Sequence, residues 1–259
     1  MPRMTSRAMK RTIPAGTMLL LVSTASHAVG VPGIDFRAQV GYWGAEPSGT
    51  VASGDDDFRV QDDLNLDRNG SGFVMGELEH PVPILPNIRL RHRALDDSAT
   101  GTISSTRDFG PVRFMRNQQV RSSYDMEMTD ATFYYSPLNN WVSIDIGLTA
   151  RHVDLQVELE NQSSGQRDRA GGSIWLPMGH LGARFDLPLT GVYAGGELNA
   201  ISVNDERMED VRVTLGWQTT SNFGVEIGYQ RMEFETDEVD DLRADVKFEG
   251  PYAAATVRF

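Results

Sequence analysis

The chain has 259 residues, with 24 Lys and Arg against 36 Asp and Glu, a net charge of −12, and no Cys. That acidity would repel a phosphate backbone and argues against a nucleic-acid partner. The absence of cysteine excludes a disulfide scaffold, Cys-ligated zinc, an iron–sulfur cluster and a lipoprotein anchor.

The chain opens with a basic segment, Arg3, Arg7, Lys10 and Arg11, and continues through an apolar stretch centred on Met18 to Val22. It then reaches Ser26-His27-Ala28, with small residues where signal peptidase requires them. The apolar core is too short to span a bilayer stably, so residues 1–28 read as a cleaved signal peptide. Removing its four positive charges takes the net charge from −12 to −16. Residues 29–259 are then expected to form one domain, exported and without a helical anchor.

From Ile34 onward the pattern has a period of two. Ile34, Phe36, Ala38, Val40 and Tyr42 share one face, and Val142, Ile144, Ile146, Leu148 and Ala150 repeat the arrangement. An apolar residue at every second position sets one face of a sheet against an apolar medium. Ten strands are predicted, at 34–44, 72–80, 87–95, 124–135, 141–155, 173–185, 192–203, 209–218, 224–235 and 243–259. Four connections are short, near Pro81–Asn87, Ser136–Asn140, Asp186–Gly191 and Thr219–Phe223. The others are longer and polar, at 45–69, 96–123, 160–172, 204–209 and 235–241. This alternation predicts an all-β, antiparallel, up-and-down transmembrane barrel with short periplasmic turns and long outer loops. A hairpin from Thr102 to Arg107 with Val112 to Val120 keeps eight or twelve strands as alternatives. A soluble ligand-binding barrel, apolar inside and polar outside, is the rival fold.

Two features favour the membrane. Tyr134, Tyr135, Trp141, Phe185, Tyr193, Trp217 and Phe223 cluster beside the short turns, where an interfacial aromatic girdle belongs. The last strand, Ala253 to Phe259, is apolar at alternate positions and ends on Phe, which resembles the C-terminal signal read by the outer-membrane assembly machinery. The runs Leu78 to Leu90 (LEHPVPILPNIRL), Asn140 to Leu148 (NWVSIDIGL) and Ala183 to Gly191 (ARFDLPLTG), with Asp240 to Tyr252, resemble hallmarks of a family of uncharacterised proteobacterial outer-membrane β-barrel proteins. The resemblance covers the whole mature chain. It implies an outer-membrane location and a barrel fold, and it brings no activity or catalytic residues.

With the apolar face outward, the inward charges are Arg37, Glu77, Glu79, Arg89, Arg91, Arg93, Asp130, Asp145, Arg151, Arg184, Glu197, Arg212 and Glu226. Their signs mostly alternate between neighbouring strands, which predicts a narrow lumen closed by ion pairs. Asp67 to Gly72 resembles the start of a calcium loop, but its twelfth position is Leu78 rather than the required Glu, Glu77 and Glu79 miss on either side, and the surrounding pattern is a strand. The acidic clusters Asp55-Asp56-Asp57, Asp62-Asp63, Asp237-Glu238 and Asp240-Asp241 are expected to be solvated loops, with weak cation sharing as the alternative. Among the mature histidines, His80, His92, His152 and His180, only His152 with Asp154 suggests a general base, and a satisfied rim histidine is the simpler reading. Arg107, Arg113, Arg116 and Arg121 stand beside Phe109, Phe114 and Met115, a pattern that suits either lipid phosphates or a mixed-charge hairpin.

The sequence therefore predicts a non-enzymatic envelope or surface-interaction protein. A narrow channel is the second reading and an enzyme acting on lipid or peptide the third. No catalytic, cofactor or metal residue is assigned. Expected partners are outer-membrane lipid, lipopolysaccharide and the barrel-assembly machinery.

Overall fold

The computed structural model describes residues 33–53, 56–61, 69–102, 107–109, 112–114, 119–203, 206–239 and 242–259. The expected leader lies outside the described residues, as do Asp55, Asp62, Asp63, Asp67, Arg116, Asp240 and Asp241.

Ten strands form the barrel: β1 (Asp35–Ser53), β2 (Asn69–Glu79), β3 (Asn87–Thr102), β4 (Gln119–Asn139), β5 (Val142–Asn161), β6 (Arg167–Asp186), β7 (Val192–Val203), β8 (Glu206–Gln218), β9 (Phe223–Val239) and β10 (Leu242–Arg258). Each pairs antiparallel with its sequence neighbours, and β10 closes onto β1. At the seam Phe36 and Phe259 exchange both backbone hydrogen bonds, at 3.1 and 2.8 Å, and stack their rings 6.5 Å apart. Closure leaves no edge in the lower part of the wall, as a strand in hydrocarbon requires.

The register fixes the geometry. Starting at Phe36, the ladder runs through Leu78, Ile88, Phe133, Leu148, Gly179, Ala200, Glu209, Glu233 and Lys247 to Ser48. It returns to β1 twelve residues higher, a shear of twelve on ten strands, which corresponds to a tilt of about 40°. Inward glycines face bulky aromatics across the ladder: Gly216 lies opposite Tyr193, and a Cβ there would fall 2.1 Å from the ring.

Several strands run well past the predicted ends, so much of the expected loop is sheet. β3 and β4 stay paired as far as Thr102 and Gln119, at the base of the predicted hairpin, and beyond them Arg107–Phe109 pairs with Val112–Phe114 in a separate small sheet. The extension adds height without adding barrel strands.

Each long strand inverts its polarity partway up. In the lower part of β4, Phe133 and Tyr135 are exposed outward while Asp130, Thr132 and Tyr134 are buried inside. Above residue 129 the outward positions are Glu127, Asp125 and Ser123, and Met128, Met126, Tyr124 and Val120 are buried. On β5 the apolar residues shift from Ile146 and Leu148 outside to Val153 and Leu159 inside. The spacing remains two throughout; only the apolar parity changes. Below the switch, Val40, Leu90, Phe133, Leu148, Leu181, Val213 and Ile227 form an exposed apolar belt. Above it the chain is built like a soluble protein, with Trp43, Leu95, Met126, Val153, Met208, Met232 and Phe248 in one core. The membrane-spanning segments are therefore the parts below the switch. Both the belt and the closed ladder are those of an outer-membrane barrel.

In the upper part the wall divides beyond the last β6–β7 pair, Gly179 with Ala200, and the last β2–β3 pair, Phe73 with Arg93. On one side stand β3 to β6, and on the other β7 to β10 with β1, β2 and the short strand Asp56–Arg59. They pack through the core, and Tyr124 meets Phe248 edge to face with centroids 6.0 Å apart.

Candidate functional site

The lumen of the membrane-spanning part is filled by ion pairs, and all the predicted inward charges face it. Arg89, Arg91 and Arg93 stand on β3 at alternate positions and so form a vertical stack. Arg89 donates to Glu77 on the adjacent strand at 3.0 Å and across the lumen to Glu197 at 2.9 Å. Arg91 donates to the other oxygen of Glu197 at 2.7 Å. Arg93 reaches Asp130 at 2.9 Å and, across the lumen, Asp210 at 2.7 Å. Arg151 donates to Asp130 at 2.6 and 2.8 Å and to Asp210 at 2.6 Å, and Gln230 adds a bond to Asp210 at 2.7 Å. On the far wall Glu226 accepts from Gln39 and Tyr193, each at 2.6 Å, and pairs with Arg212 at 3.5 Å.

These groups form two layers. The upper one, Arg93, Asp130, Arg151 and Asp210, is electrically neutral and almost wholly buried. The lower one surrounds a polar cavity of about 240 Å³ lined by Arg37, Glu77, Arg89, Arg91, Glu197, Arg212 and Glu226. Asn139, Asn140, Arg184, Asp186 and Arg258, beside the short turns and the C-terminus, also line it. Packed against this layer lie Met128, Met178 and Met232, all fully buried, and the Sδ of Met232 lies 3.9 Å from the Arg151 guanidinium.

Asp210 is the one member of the upper layer missing from the predicted inward set. Asp210 lies in the predicted strand 209–218, just after the acidic run expected as loop at 204–209; that run is the first part of β8, and Asp210 shares the inward parity of Arg212. Tyr134 and Tyr193 are corrections to the girdle. Both are buried inside and donate to carboxylates, Tyr134 to Glu77 at 2.5 Å and Tyr193 to Glu226. Tyr135, Trp141, Phe185, Trp217 and Phe223 do face outward, and Trp141 packs edge to face on Phe185 at 5.5 Å.

The histidines are dispersed. His80 braces the first short turn through Pro86 and Val82, and His92 contacts Thr129 on the outer wall. His152 stacks on Trp175, with centroids 4.8 Å apart, and His180 is buried against Asn199 at 2.9 Å. His152 and Asp154 share the outer face of β5. Above the belt, Asp96 lies directly opposite Asp125, and Glu127 opposite Asp154, on that same wall. The Asp125 carboxyl is pushed above the usual range by partial burial and then by Glu127, Asp96 and Asp154. Burial raises the Tyr124 phenol, with Asp97 and Asp96 adding to the effect. Among the described residues no cluster of three metal-ligating side chains is formed.

No family model and no curated protein matches the sequence. The fold is similar to the outer-membrane protease OmpT from Escherichia coli, with a TM-score of 0.54 and 9% identity over 87% of this chain and 97% of that one. More distant likenesses are the transport unit of the autotransporter AIDA-I from Escherichia coli and Ail of Yersinia pestis. Their TM-scores are 0.40 and 0.36, with 9% identity over 90% of this chain and 93% of that one, and 11% over 88% and 99%. The chain is an antiparallel ten-stranded β-barrel of the outer membrane.

Proposed function

We propose that this is a non-enzymatic surface-interaction protein whose lumen is closed to solutes, so that its working surface is the part above the membrane. The observation that carries this reading is the neutral, buried layer of Arg93, Asp130, Arg151 and Asp210, with the buried Met128, Met178 and Met232 packed against it. The positions of the histidines also support it, because His152 and Asp154 point away from the lumen and His180 is packed on Asn199. Outer-membrane lipid, including lipopolysaccharide, is the proposed partner of the belt. The assembly machinery is the proposed reader of β10 and its terminal Phe259.

Single-channel recording in a planar bilayer tests the reading, with protein whose folding is first verified by the gel shift between unboiled and boiled samples. Silence is expected. A stable stepwise conductance would overturn it and favour a narrow channel, the reading that the polar cavity of about 240 Å³ below the ion-pair layer supports.

A further inference from the structure

Pairing between β6 and β7 ends at Gly179 and Ala200. Pro177 supplies the reason: it stands where Ser202 would be its partner and has no N–H to give. Above that point β6 continues for the twelve residues from Arg167 to Met178, and among the described residues it pairs there only with β5.

The direction of the free groups follows from both ends of the strand. At the bottom Asp186 N–H bonds to Trp141 on the β5 side and Leu187 N–H to Val192 on the β7 side. At the top Asn161 N–H bonds to the Gln166 carbonyl, so even-numbered residues face β5 at both ends, with no register shift between. The odd-numbered residues Arg169, Gly171, Ser173, Trp175 and Pro177 therefore turn four N–H and five C=O groups to the open side.

The open margin is also where apolar surface is exposed above the membrane. Allowing for the climb of the ladder around the barrel, Trp175 stands level with Asp96, Glu127 and Glu233, beyond the apolar belt. Ile174 is 54% exposed, Trp175 65% and Val203 53%. Leu155 lies opposite Gly172, which places no side chain over it. The corresponding margin of β3, from Ala94 to Thr102, has no partner on β2 either, but no large apolar side chain is exposed along its described positions.

We propose that the open edge of β6 is a docking site for an extended segment of another polypeptide, added as an antiparallel strand and carrying apolar residues at every second position. This rests on the surface-interaction reading above and names its partner class. Main-chain groups over nine residues, about 27 Å of strand, recognise a backbone rather than a particular side chain. Ile174, Leu155 and Val203 offer the apolar floor that selects the alternating pattern. A second copy fits less well. Two barrels upright in one membrane have β6 running in the same direction, so their edges would meet in parallel, unlike every ladder of this chain.

The test uses refolded full-length protein in lipid nanodiscs and a library of synthetic nonapeptides with alternating apolar and polar positions. Binding is read by fluorescence polarisation and by amide hydrogen exchange. Library members should bind, and the amides of Arg169, Gly171, Ser173 and Trp175 should exchange freely without peptide and slow at least tenfold with it. Ser173→Pro removes an edge donor without touching the β5 side and should weaken binding at least tenfold; Ser173→Ala should not. N-methylation of alternate peptide nitrogens should abolish binding, a control independent of how the variant folds. Absence of any binder, binding indifferent to both Ser173→Pro and N-methylation, or amides already protected in the free protein would overturn the proposal. So would self-association lost with Ser173→Pro, which reassigns the edge to a second copy. Conductance by the protein would refute the closed lumen while leaving this edge testable on its own.

Discussion

Asp210→Asn is the sharpest perturbation of the ion-pair layer, because it removes one charge and almost no volume. Asp210 accepts from Arg93 at 2.7 Å, Arg151 at 2.6 Å and Gln230 at 2.7 Å, and its side chain is 1% exposed. Two buried guanidiniums would be left to share Asp130. Two of those three bonds are charge-assisted, each contributing roughly 1.5–3 kcal/mol, and truncating one partner of a buried pair costs about 3–5 kcal/mol. We expect a loss in that range in urea unfolding of protein refolded into micelles, followed by tryptophan emission at equilibrium from both directions. Combining Asp210→Asn with Arg151→Gln restores neutrality and should cost less than the two single losses added together, by at least about 1 kcal/mol. Glu158→Gln, at the pair with the exposed Arg169, should cost at most about 1 kcal/mol. A loss below about 1 kcal/mol for Asp210→Asn, or strict additivity in the cycle, would refute the layer as a coupled network.

Other outcomes follow from the upper half and the turns. Trp43→Ala opens the core between the two sheets, where Trp43 is buried and donates to the Gly250 carbonyl at 3.2 Å. It should cost about 3–5 kcal/mol in the same unfolding assay, while the gel shift persists because the ladder below is untouched. Leu189 is fully exposed in the short β6–β7 turn with φ of 67°. Leu189→Gly should stabilise by about 1 kcal/mol in micelles; destabilisation would show that the leucine is held by lipid or a partner. Asp125 binds its proton more readily folded than unfolded, so its contribution favours the fold below the unfolded carboxyl value and is lost as pH rises through the raised one. The urea midpoint of Asp125→Asn should accordingly exceed that of the parent at pH 7 and converge with it in acid. Parallel curves would refute the crowding of the four carboxylates.

The barrel was legible because lipid imposes one rule on every strand, and Val142 to Ala150 obeys it without exception. The inward charges followed from the same parity, since a residue opposite a lipid-facing one must face the lumen. The upper core was less legible: Glu127, Asp154 and Glu233 fall inside predicted strands, but the membrane rule alone keeps the apolar side outward along the whole strand. They are the wet face of the same strands, and Met128, Val153 and Met232 are the dry one. Asp210, at the start of the predicted strand 209–218, has the inward parity of Arg212 but was not carried into the inward set. Tyr134 and Tyr193 were misplaced for another reason: an aromatic near a turn suits the girdle by type, and only its parity reveals that it points inward to Glu77 or Glu226.

The inversion makes the register of each strand doubly specified. A slip of one residue on β3 would turn Arg89, Arg91 and Arg93 toward lipid, at about 2–4 kcal/mol each near the midplane. The same slip would carry Leu95 out of the upper core into water, a further loss of about 1.5–3 kcal/mol. In a barrel with apolar outside and polar inside along its full height, only the first penalty acts, and it weakens toward the interfaces. Here the second takes over where the first fades, because the apolar parity changes at the height at which lipid gives way to water. The edge of β6 escapes this control: above Pro177 it keeps its β5 partner but, among the described residues, has no second neighbour to fix what lies beside it. Selection at that edge rests with whatever strand arrives, which is why the alternation of the incoming segment, read against Ile174, Leu155 and Val203, is the property that the peptide experiment must resolve.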